Sequence, residues 1–219
     1  MDEIKDRDSL ISVGTQENLY TGLLKAADLI RAGGMVAYPT ESFYGLAVNA
    51  ADEEAIQRLF AIKKRRSDHP VLILIHSIEV LDQCVASIPE MAHKLIRQFW
   101  PGGLTLVFKA GSNLSPLLSA CTGKIGIRLS SHPVATALVK AVGVPITGTS
   151  ANISGQPACV NAVEVLHSLG KGVDLILDGG ATKGAPGSTI LDITVTPPKI
   201  LRQGIVERKQ LRAFIPILP

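Results

Sequence analysis

The 219-residue chain lacks several features that mark common classes of protein. Its three cysteines, Cys84, Cys121 and Cys159, form no CxxC pair, which disfavours a disulfide framework or a zinc site and favours reduced thiols that serve in packing. No apolar run approaches the roughly 18–20 residues that span a bilayer. The acidic N-terminus MDEIKDRDSL also lacks the basic start of a signal peptide. We therefore expect a cytoplasmic protein without a membrane segment.

The short motifs of several enzyme classes are missing as well. Neither GxxxxGK(S/T) nor GxGxxG follows a predicted strand, and HExxH and GxSxG do not occur. The segment GGATKGAPGST, 179–189, contains glycines that would let a backbone approach a ligand, but their spacing is wrong for a P-loop. The five histidines are scattered without metal-ligand spacing. The sequence thus gives no P-loop, metalloprotease or hydrolase signature, and it leaves any metal requirement open.

Apolar segments of helical and strand length alternate along the chain. The spacing predicts helices near 19–31, 52–62, 77–85, 89–99, 131–142 and 162–169, and strands near 35–38, 71–75, 104–108, 125–129, 144–147, 173–178, 189–193 and 199–201. With a hydrophobic content of 46%, this order predicts one α/β domain with a twisted mixed β-sheet flanked by helices. We place that domain at residues 17–206, after a loose N-terminal arm at 1–16 and before a C-terminal tail at 207–219.

Four cations stand together in IKKRRSDHP, residues 62–70, although the formal net charge of the chain is only +3. They could form a solvated run, a nuclear-localisation or nucleic-acid patch, charges at a helix C-terminus, or a phosphate site. A phosphate site needs support from other residues, and cations and small polar residues do fall near predicted strand ends, where α/β sheets usually bind ligands. These residues are Lys63, Arg65, Lys124, Arg128, Arg202, Thr40, Ser42, Ser150, Asn152 and Ser188.

Eight segments in a fixed order carry a resemblance to a known family. They are VAYPTESFYGLAVNA, IKKRRSDHP, FWPGGLTLVF, IGIRLSSHPVATALV, PITGTSANISGQP, ILDGG, GSTILDIT and ILRQGIV. Together they resemble the YrdC-like family of L-threonylcarbamoyladenylate synthases from about Gly33 to Val206. The K-x-R of Lys63 and Arg65 and the S-x-N of Ser150 and Asn152 are part of that pattern.

The resemblance implies a single α/β domain with a large, open and positively charged cavity. It also implies that L-threonine, bicarbonate and ATP react to give L-threonylcarbamoyl-AMP and pyrophosphate, the first step of threonylcarbamoyladenosine formation in tRNA. A separate tRNA threonylcarbamoyl transferase complex would complete the modification. Mg²⁺ would enter with the phosphates of ATP, because this ion keeps most of its waters and needs few protein ligands.

Carried across by motif, the resemblance assigns two groups of residues. The ATP-binding positions are Lys63, Arg65, His69, Lys124, Ser150, Asn152 and Arg202. The threonine-binding positions are Thr40, Ser42, Arg128, Gly148 and Ser188. Lys63 and Arg65 are expected to meet the triphosphate as the catalytic pair, whereas Arg128 is expected to grip the threonine carboxylate bidentately.

Three departures from the family pattern leave other functions open. Arg66 stands where many relatives have proline, Leu74 where many have histidine, and Ala158 where some have serine. One alternative is a paralogue that adenylates another carbamate or small acid. The other is a module that binds double-stranded RNA or tRNA without catalysis, because a basic cavity also suits the shape and charge of duplex RNA.

Overall fold

Eleven strands form two mixed sheets in the computed structural model, which describes residues 9–184 and 186–217. The strands are β1 Leu10–Ser12, β2 Val36–Pro39, β3 Tyr44–Ala47, β4 Ile73–Leu74, β5 Leu104–Lys109, β6 Lys124–Arg128, β7 Ile146–Thr147, β8 Thr149–Ser150, β9 Leu175–Asp178, β10 Thr189–Asp192 and β11 Lys199–Arg202. One sheet has the order β1-β9-β2-β3-β8, and the other has the order β11-β10-β5-β6-β4-β7. The predicted mixed α/β class is confirmed.

The chain crosses between the sheets at Gly148, which is why two sheets replace the single sheet predicted from the sequence. On one side of this glycine, β7 pairs with β4 in the second sheet. On the other side, β8 pairs with β3 in the first sheet. All four residues of β3 are buried, so its sequence lacks the alternation that would have marked it as a strand.

The part of the chain that the structure describes contains seven α-helices, six between strands and one after β11. They are α1 Gln16–Arg31, α2 Glu53–Ile62, α3 Leu81–Cys84, α4 Glu90–Phe99, α5 Pro133–Val142, α6 Ala162–Leu169 and α7 Arg208–Arg212, with 3-10 turns at Ile78–Val80 and Gly170–Gly172. The side chains of Thr15, Asp52 and Asn161 cap α1, α2 and α6 by accepting hydrogen bonds from backbone N–H groups in the first turn. Helix α5 ends at Gly143, whose φ of 81° suits glycine.

Two clusters of buried apolar side chains fix the sheets in place. In the first, α1 and α5 cover the first sheet, and Ile30, Leu138 and Leu175 are among its fully buried members. The second cluster joins residues of both sheets, such as Leu46 of β3 and Ile127 of β6. Full burial of such a side chain contributes about 1.5–3 kcal/mol, so the relative position of the sheets is determined largely by apolar packing.

The prediction of a loose N-terminal arm is wrong for residues 10–13. Strand β1 pairs in parallel with β9, and the following Val13 is buried against the first sheet. A three-residue strand has too little periodicity to be recognised in the sequence, and its partner lies more than 160 residues further along the chain. Residues 1–8 of the predicted arm lie outside the described residues.

The prediction of a loosely attached C-terminal tail is also wrong, as far as residue 217. Helix α7 begins at a capping box formed by Glu207 and Gln210. Leu211, Ile215 and Ile217 are then buried in the core cluster that joins the two sheets. The tail is thus part of the core, because these three side chains remove apolar surface from water. The outer boundaries of the domain stay a prediction.

The cysteines only partly follow the prediction that all three are packing residues. Cys84 and Cys159 are buried free thiols, and burial raises the pKa of Cys84 to about 11. Cys121 is exposed, because it lies in the turn before β6 with a left-handed φ of 57°. Among the described helices, none is both long enough and apolar enough to cross a bilayer.

Candidate functional site

A cavity of about 780 Å³ lies between the two sheets. The β2–β3 hairpin supplies one wall, and β5, β6 and β10 of the second sheet supply the opposite wall. Nine of the twelve residues nominated from the sequence line it, namely Thr40, Ser42, Arg65, Lys124, Arg128, Gly148, Ser150, Ser188 and Arg202. Lys63, His69 and Asn152 do not belong to this lining.

Gly148 keeps the floor of the cavity open. Its N–H donates a 2.8 Å hydrogen bond to the carbonyl oxygen of Leu72. A Cβ atom at this position would overlap Leu72 Cδ1 and would lie 3.2 Å from Leu74 Cγ. A side chain at this position would therefore displace Leu72 Cδ1 and press on Leu74, so glycine leaves these two leucines of the cavity lining in place.

Two cations of the cavity wall are paired with carboxylates. Lys124 Nζ lies 2.9 Å from Asp192 Oδ2. Burial would raise the pKa of Asp192, but the Thr194 hydroxyl and Lys124 outweigh burial and lower it. Arg128 Nη2 donates to Glu41 Oε2, and Arg128 Nε donates to the Gly102 carbonyl oxygen at 2.8 Å. These two ion pairs offset part of the positive charge that the sequence predicts for the cavity.

Glu41 is a charged residue of the site that the sequence reasoning missed. Its Oε1 accepts hydrogen bonds from Ser130 Oγ at 2.8 Å, from Ser131 Oγ at 2.9 Å and from the His132 N–H at 3.2 Å. Burial would raise the pKa of Glu41, but the charge of Arg128 and these donors lower it to about 2. The sequence did contain one indication of this role, because an acidic residue stands between Thr40 and Ser42 in a segment expected to bind a ligand.

The other two cations of the wall are held by carbonyl oxygens. Arg65 donates to the carbonyl oxygens of His69 at 3.2 Å and Pro70 at 2.7 Å. Arg202 donates through Nη2 to the carbonyl oxygen of Ser188 at 2.8 Å and to its hydroxyl at 3.2 Å. Burial lowers the pKa of both arginines, and the charge of Arg128 lowers that of Arg202 further. Neither forms an ion pair with a carboxylate among the described residues, so their charge is available to an anion.

Lys63 is placed differently from the prediction that it faces a triphosphate. It ends α2 with only 1% of its surface exposed, and its Nζ donates to the carbonyl oxygens of Ser150 and, at 2.7 Å, Asn152. Its own carbonyl oxygen accepts from the Ser154 N–H at 2.8 Å. Burial, followed by the charge of Arg65, lowers the pKa of Lys63 to about 7. The hydrogen bonds from Nζ tie α2 to the loop after β8, and a direct contact with ATP stays a prediction.

Asn152 and His69 also lie away from the cavity lining. Asn152 donates through Nδ2 to the carbonyl oxygens of Ile153 at 2.9 Å and Gln156 at 2.7 Å, and its Oδ1 accepts from Ser150 Oγ. It therefore shapes the loop that presents Ser150. The imidazole of His69 is largely exposed, and its backbone carbonyl is one of the two that hold Arg65.

The hydroxyl-bearing residues among the predicted threonine-binding positions form hydrogen bonds within the protein. Thr40 Oγ1 donates to the Phe43 carbonyl oxygen at 2.6 Å and closes the turn between β2 and β3. The carbonyl oxygen of Ser42 accepts from the Gly184 N–H at 2.9 Å. Ser188 Oγ shares a 2.8 Å hydrogen bond with Thr105 Oγ1. The cavity wall is thus held in shape by short polar contacts before any ligand enters.

Comparisons with known proteins place this cavity in a family. A profile described as "Sua5_yciO_yrdC: Telomere recombination" matches residues 28–204. The chain is 38% identical to a threonylcarbamoyl-AMP synthase of Pyrococcus abyssi over 87% of its length, and 38% identical to one of Bacillus subtilis over 88%. It spans only 56% of the length of each of these two relatives. A shorter relative, the threonylcarbamoyl-AMP synthase of Vibrio cholerae, is 36% identical over 85% of this chain and 99% of its own.

Solved structures agree with the sequence comparison. The crystal structure of P. abyssi Sua5 complexed with L-threonine superposes with a TM-score of 0.90 at 36% identity, covering 96% of this chain and 62% of that one. The crystal structure of E. coli YciO gives a TM-score of 0.81 at 28% identity, covering 92% and 97%. The predicted resemblance is confirmed by sequence and by fold. The chain belongs to the Sua5/YciO/YrdC family.

Proposed function

We propose that this protein is an L-threonylcarbamoyl-AMP synthase, which makes that compound and pyrophosphate from L-threonine, bicarbonate and ATP. The observation that carries the proposal is the cavity between the sheets, whose wall includes four cations. Such a site suits a polyanion and a carboxylate held side by side. The proposal is supported by the relatives that bear the name threonylcarbamoyl-AMP synthase and by the L-threonine complex of P. abyssi Sua5.

The reaction requires positioning and charge neutralisation rather than a protein nucleophile. The threonine amine adds to the carbon of CO₂ and loses a proton to form a carbamate; when bicarbonate is the reactant, its hydroxyl group leaves as water in the same conversion. A carbamate oxygen then attacks the α-phosphorus of ATP, the bond from that phosphorus to the bridging oxygen breaks, and pyrophosphate leaves. Two anions must meet in this step, so fixed cations lower the barrier by offsetting their repulsion and the charge that develops on the leaving group.

Arg65 and Arg202 are the residues we assign to the triphosphate. Both line the cavity and are oriented by backbone carbonyl oxygens, which leave their charge uncompensated by carboxylates of the described residues. Their guanidinium groups stay protonated even with a lowered pKa, because the free side chain titrates far above neutral pH. We assign the charge neutralisation to Arg65, and we give Lys63 the supporting role of holding the loop that presents Ser150.

Arg128 is the residue we assign to the threonine carboxylate. Glu41 and the Gly102 carbonyl already accept from its Nη2 and Nε. These contacts leave the N–H groups of Nη1 and one of Nη2 without an acceptor among the described residues, so a substrate carboxylate could still bind bidentately at that edge while Glu41 holds the guanidinium. Ser42 and Ser188 line the same cavity, and their hydroxyls are candidates for the hydrogen bond that distinguishes threonine from apolar amino acids.

We propose that any Mg²⁺ arrives with ATP. Asp192 is a carboxylate of the cavity lining, but Lys124 and Thr194 already donate to its two oxygens. No group of three or more His, Cys, Asp or Glu side chains is placed to hold a metal within residues 9–184 and 186–217. The described residues therefore do not form a dedicated metal site, and phosphate oxygens and water would be the main ligands.

The product implies a partner reaction. Threonylcarbamoyl-AMP is a mixed anhydride that water would hydrolyse, so we propose that a tRNA threonylcarbamoyl transferase complex consumes it. Double-stranded RNA or tRNA binding by this chain itself is the weaker alternative. The cations of the cavity wall lie between two sheets, and a duplex requires charges spread over an open surface.

Pyrophosphate release from ATP tests the proposal. We expect release to require both L-threonine and bicarbonate, and we expect Arg128→Ala to reduce kcat/KM for threonine about 100-fold, the usual cost of losing a positioned charged donor. Arg66→Ala is the matched control, because Arg66 is an exposed arginine paired with Asp68. Release without threonine would indicate adenylation of another small acid. No release, together with salt-sensitive binding of duplex RNA, would indicate the RNA-binding module.

A further inference from the structure

The carboxylate of Glu41 uses its two oxygens for two separate tasks. Oε1 accepts every contact from the segment after β6, namely those of Ser130 Oγ, Ser131 N–H, Ser131 Oγ and the His132 N–H. Oε2 accepts from Arg128 Nη2. One oxygen thus ties the β2–β3 turn to the start of α5, and the other holds the guanidinium.

This ion pair is the most buried among the described residues. The side chains of Arg128 and Glu41 are 9% and 21% exposed, whereas those of the Arg31–Asp28 pair on the surface are 50% and 78% exposed. An arginine that lies near the like charge of Arg202 needs a counter-charge to remain in one position in such surroundings. Glu41 is the described carboxylate that contacts Arg128.

From these contacts we infer that Glu41 is a positioning residue, which holds Arg128 in the orientation that receives the carboxylate of the amino-acid substrate. Glu41 itself does not touch the reacting atoms. The inference rests on the proposed function, because it takes the ligand of Arg128 to be L-threonine. Glu41 would thus be a negatively charged residue of the site that assists the binding of a negatively charged carboxylate, because it acts through Arg128.

The substitution Glu41→Gln separates the two tasks. Glutamine keeps a carbonyl oxygen that can accept the contacts now made to Oε1, so the turn stays attached to the start of α5. Its amide NH₂ group would replace Oε2, and an NH₂ group cannot accept from Arg128. We therefore expect a folded protein in which Arg128 has lost its carboxylate partner and keeps only the Gly102 carbonyl oxygen.

The experiment measures dissociation constants for L-threonine and for ATP by isothermal titration calorimetry on the full chain. We expect Glu41→Gln to raise the dissociation constant for L-threonine about tenfold and to change that for ATP less than twofold, since contacting charged residues are usually coupled by this amount. In an Arg128→Ala background, the same substitution should cause no further loss. Asp28→Asn, which removes the exposed carboxylate of the Arg31 pair, serves as the control and should leave both constants unchanged.

Each other outcome has a distinct meaning. Unchanged threonine binding by the Glu41→Gln variant would overturn the inference, and tighter binding would show that Glu41 competes with the substrate instead. A parallel loss of ATP binding would show a general structural role and would also overturn it. If wild type does not bind L-threonine, the proposed function fails first. Should Glu41→Gln not fold, Glu41→Asp, which withdraws the charge by one methylene, is measured with the same expectations.

Discussion

Two pairs of cations in the cavity wall differ in what holds them. Lys124 and Arg128 contact carboxylates, whereas Arg65 and Arg202 contact backbone carbonyl oxygens. A carbonyl oxygen orients a guanidinium without cancelling its charge, and a carboxylate does both. The difference teaches that residue type alone overstates the charge of this cavity, and that its net attraction for an anion is concentrated at Arg65 and Arg202.

Removal of the carbonyl-held arginines should have the largest effect. We expect Arg65→Ala and Arg202→Ala each to weaken ATP binding about 100-fold, because each loses charge-assisted hydrogen bonds worth about 2–3 kcal/mol. Calorimetric titration with ATP measures this, with the exposed Arg66→Ala as control. If both variants lost less than threefold in ATP affinity, the carbonyl-held arginines would not differ functionally from the carboxylate-paired cations.

Lys63 should matter more for stability than for ligand binding. We expect Lys63→Met to lower the free energy of unfolding by about 2–3 kcal/mol, since two buried carbonyl oxygens at Ser150 and Asn152 lose their donor. Urea denaturation measures this change. ATP affinity should fall less than in Arg65→Ala. If Lys63→Met left stability unchanged and abolished ATP binding, Lys63 would instead be assigned a direct contact with the triphosphate.

The same lysine should give the protein a measurable pH dependence. The pKa of Lys63 is lowered from its ordinary 10.5 to about 7, so above pH 7 the unfolded chain binds more protons than the folded one at this side chain. Its contribution to the free energy of unfolding should therefore rise with pH from about 7, by at most about 1.4 kcal/mol per pH unit. Comparison of wild type with Lys63→Met between pH 7 and 9 isolates this slope. Parallel pH profiles would contradict it.

Lys124 should have the smallest effect on ATP. It is partly exposed and its charge is already offset by Asp192, so we expect Lys124→Ala to weaken ATP binding only about two- to threefold. The same titration serves for this variant. A loss as large as that of Arg202→Ala would show that the carboxylate does not neutralise its partner.

The elements that sequence periodicity predicted best are those whose packing is local. The helix predicted at 162–169 is found at Ala162–Leu169, because an Asn161 cap and a one-sided apolar face both leave a pattern in the sequence. Strands β1, β3 and β8 and the buried tail were missed. Their existence depends on partners distant in sequence, or on burial of both faces, which removes the alternation.

The sequence predicted which residues line the site better than it predicted the contacts that those residues make. Nine nominated residues line the cavity because the family motifs mark positions in the chain. The sequence could not reveal that the Lys63 ammonium meets two carbonyl oxygens about 90 residues away, nor that Arg128 shares its guanidinium with Glu41. Anions are bound by cations and hydroxyl groups, so an acidic residue such as Glu41, which orients the cation Arg128, is not among the residue types expected at an anion site.

The pairing of β1 with β9 has a consequence for biosynthesis. The ribosome delivers residues 10–12 long before their partners at 176–178, which emerge only after the intervening elements of both sheets have been made. Until then, the edge of β9 does not exist, and β1 must remain unpaired in the nascent polypeptide. The first sheet therefore closes only after β9 has been made, and until then the nascent chain exposes apolar surface that chaperones can cover during synthesis.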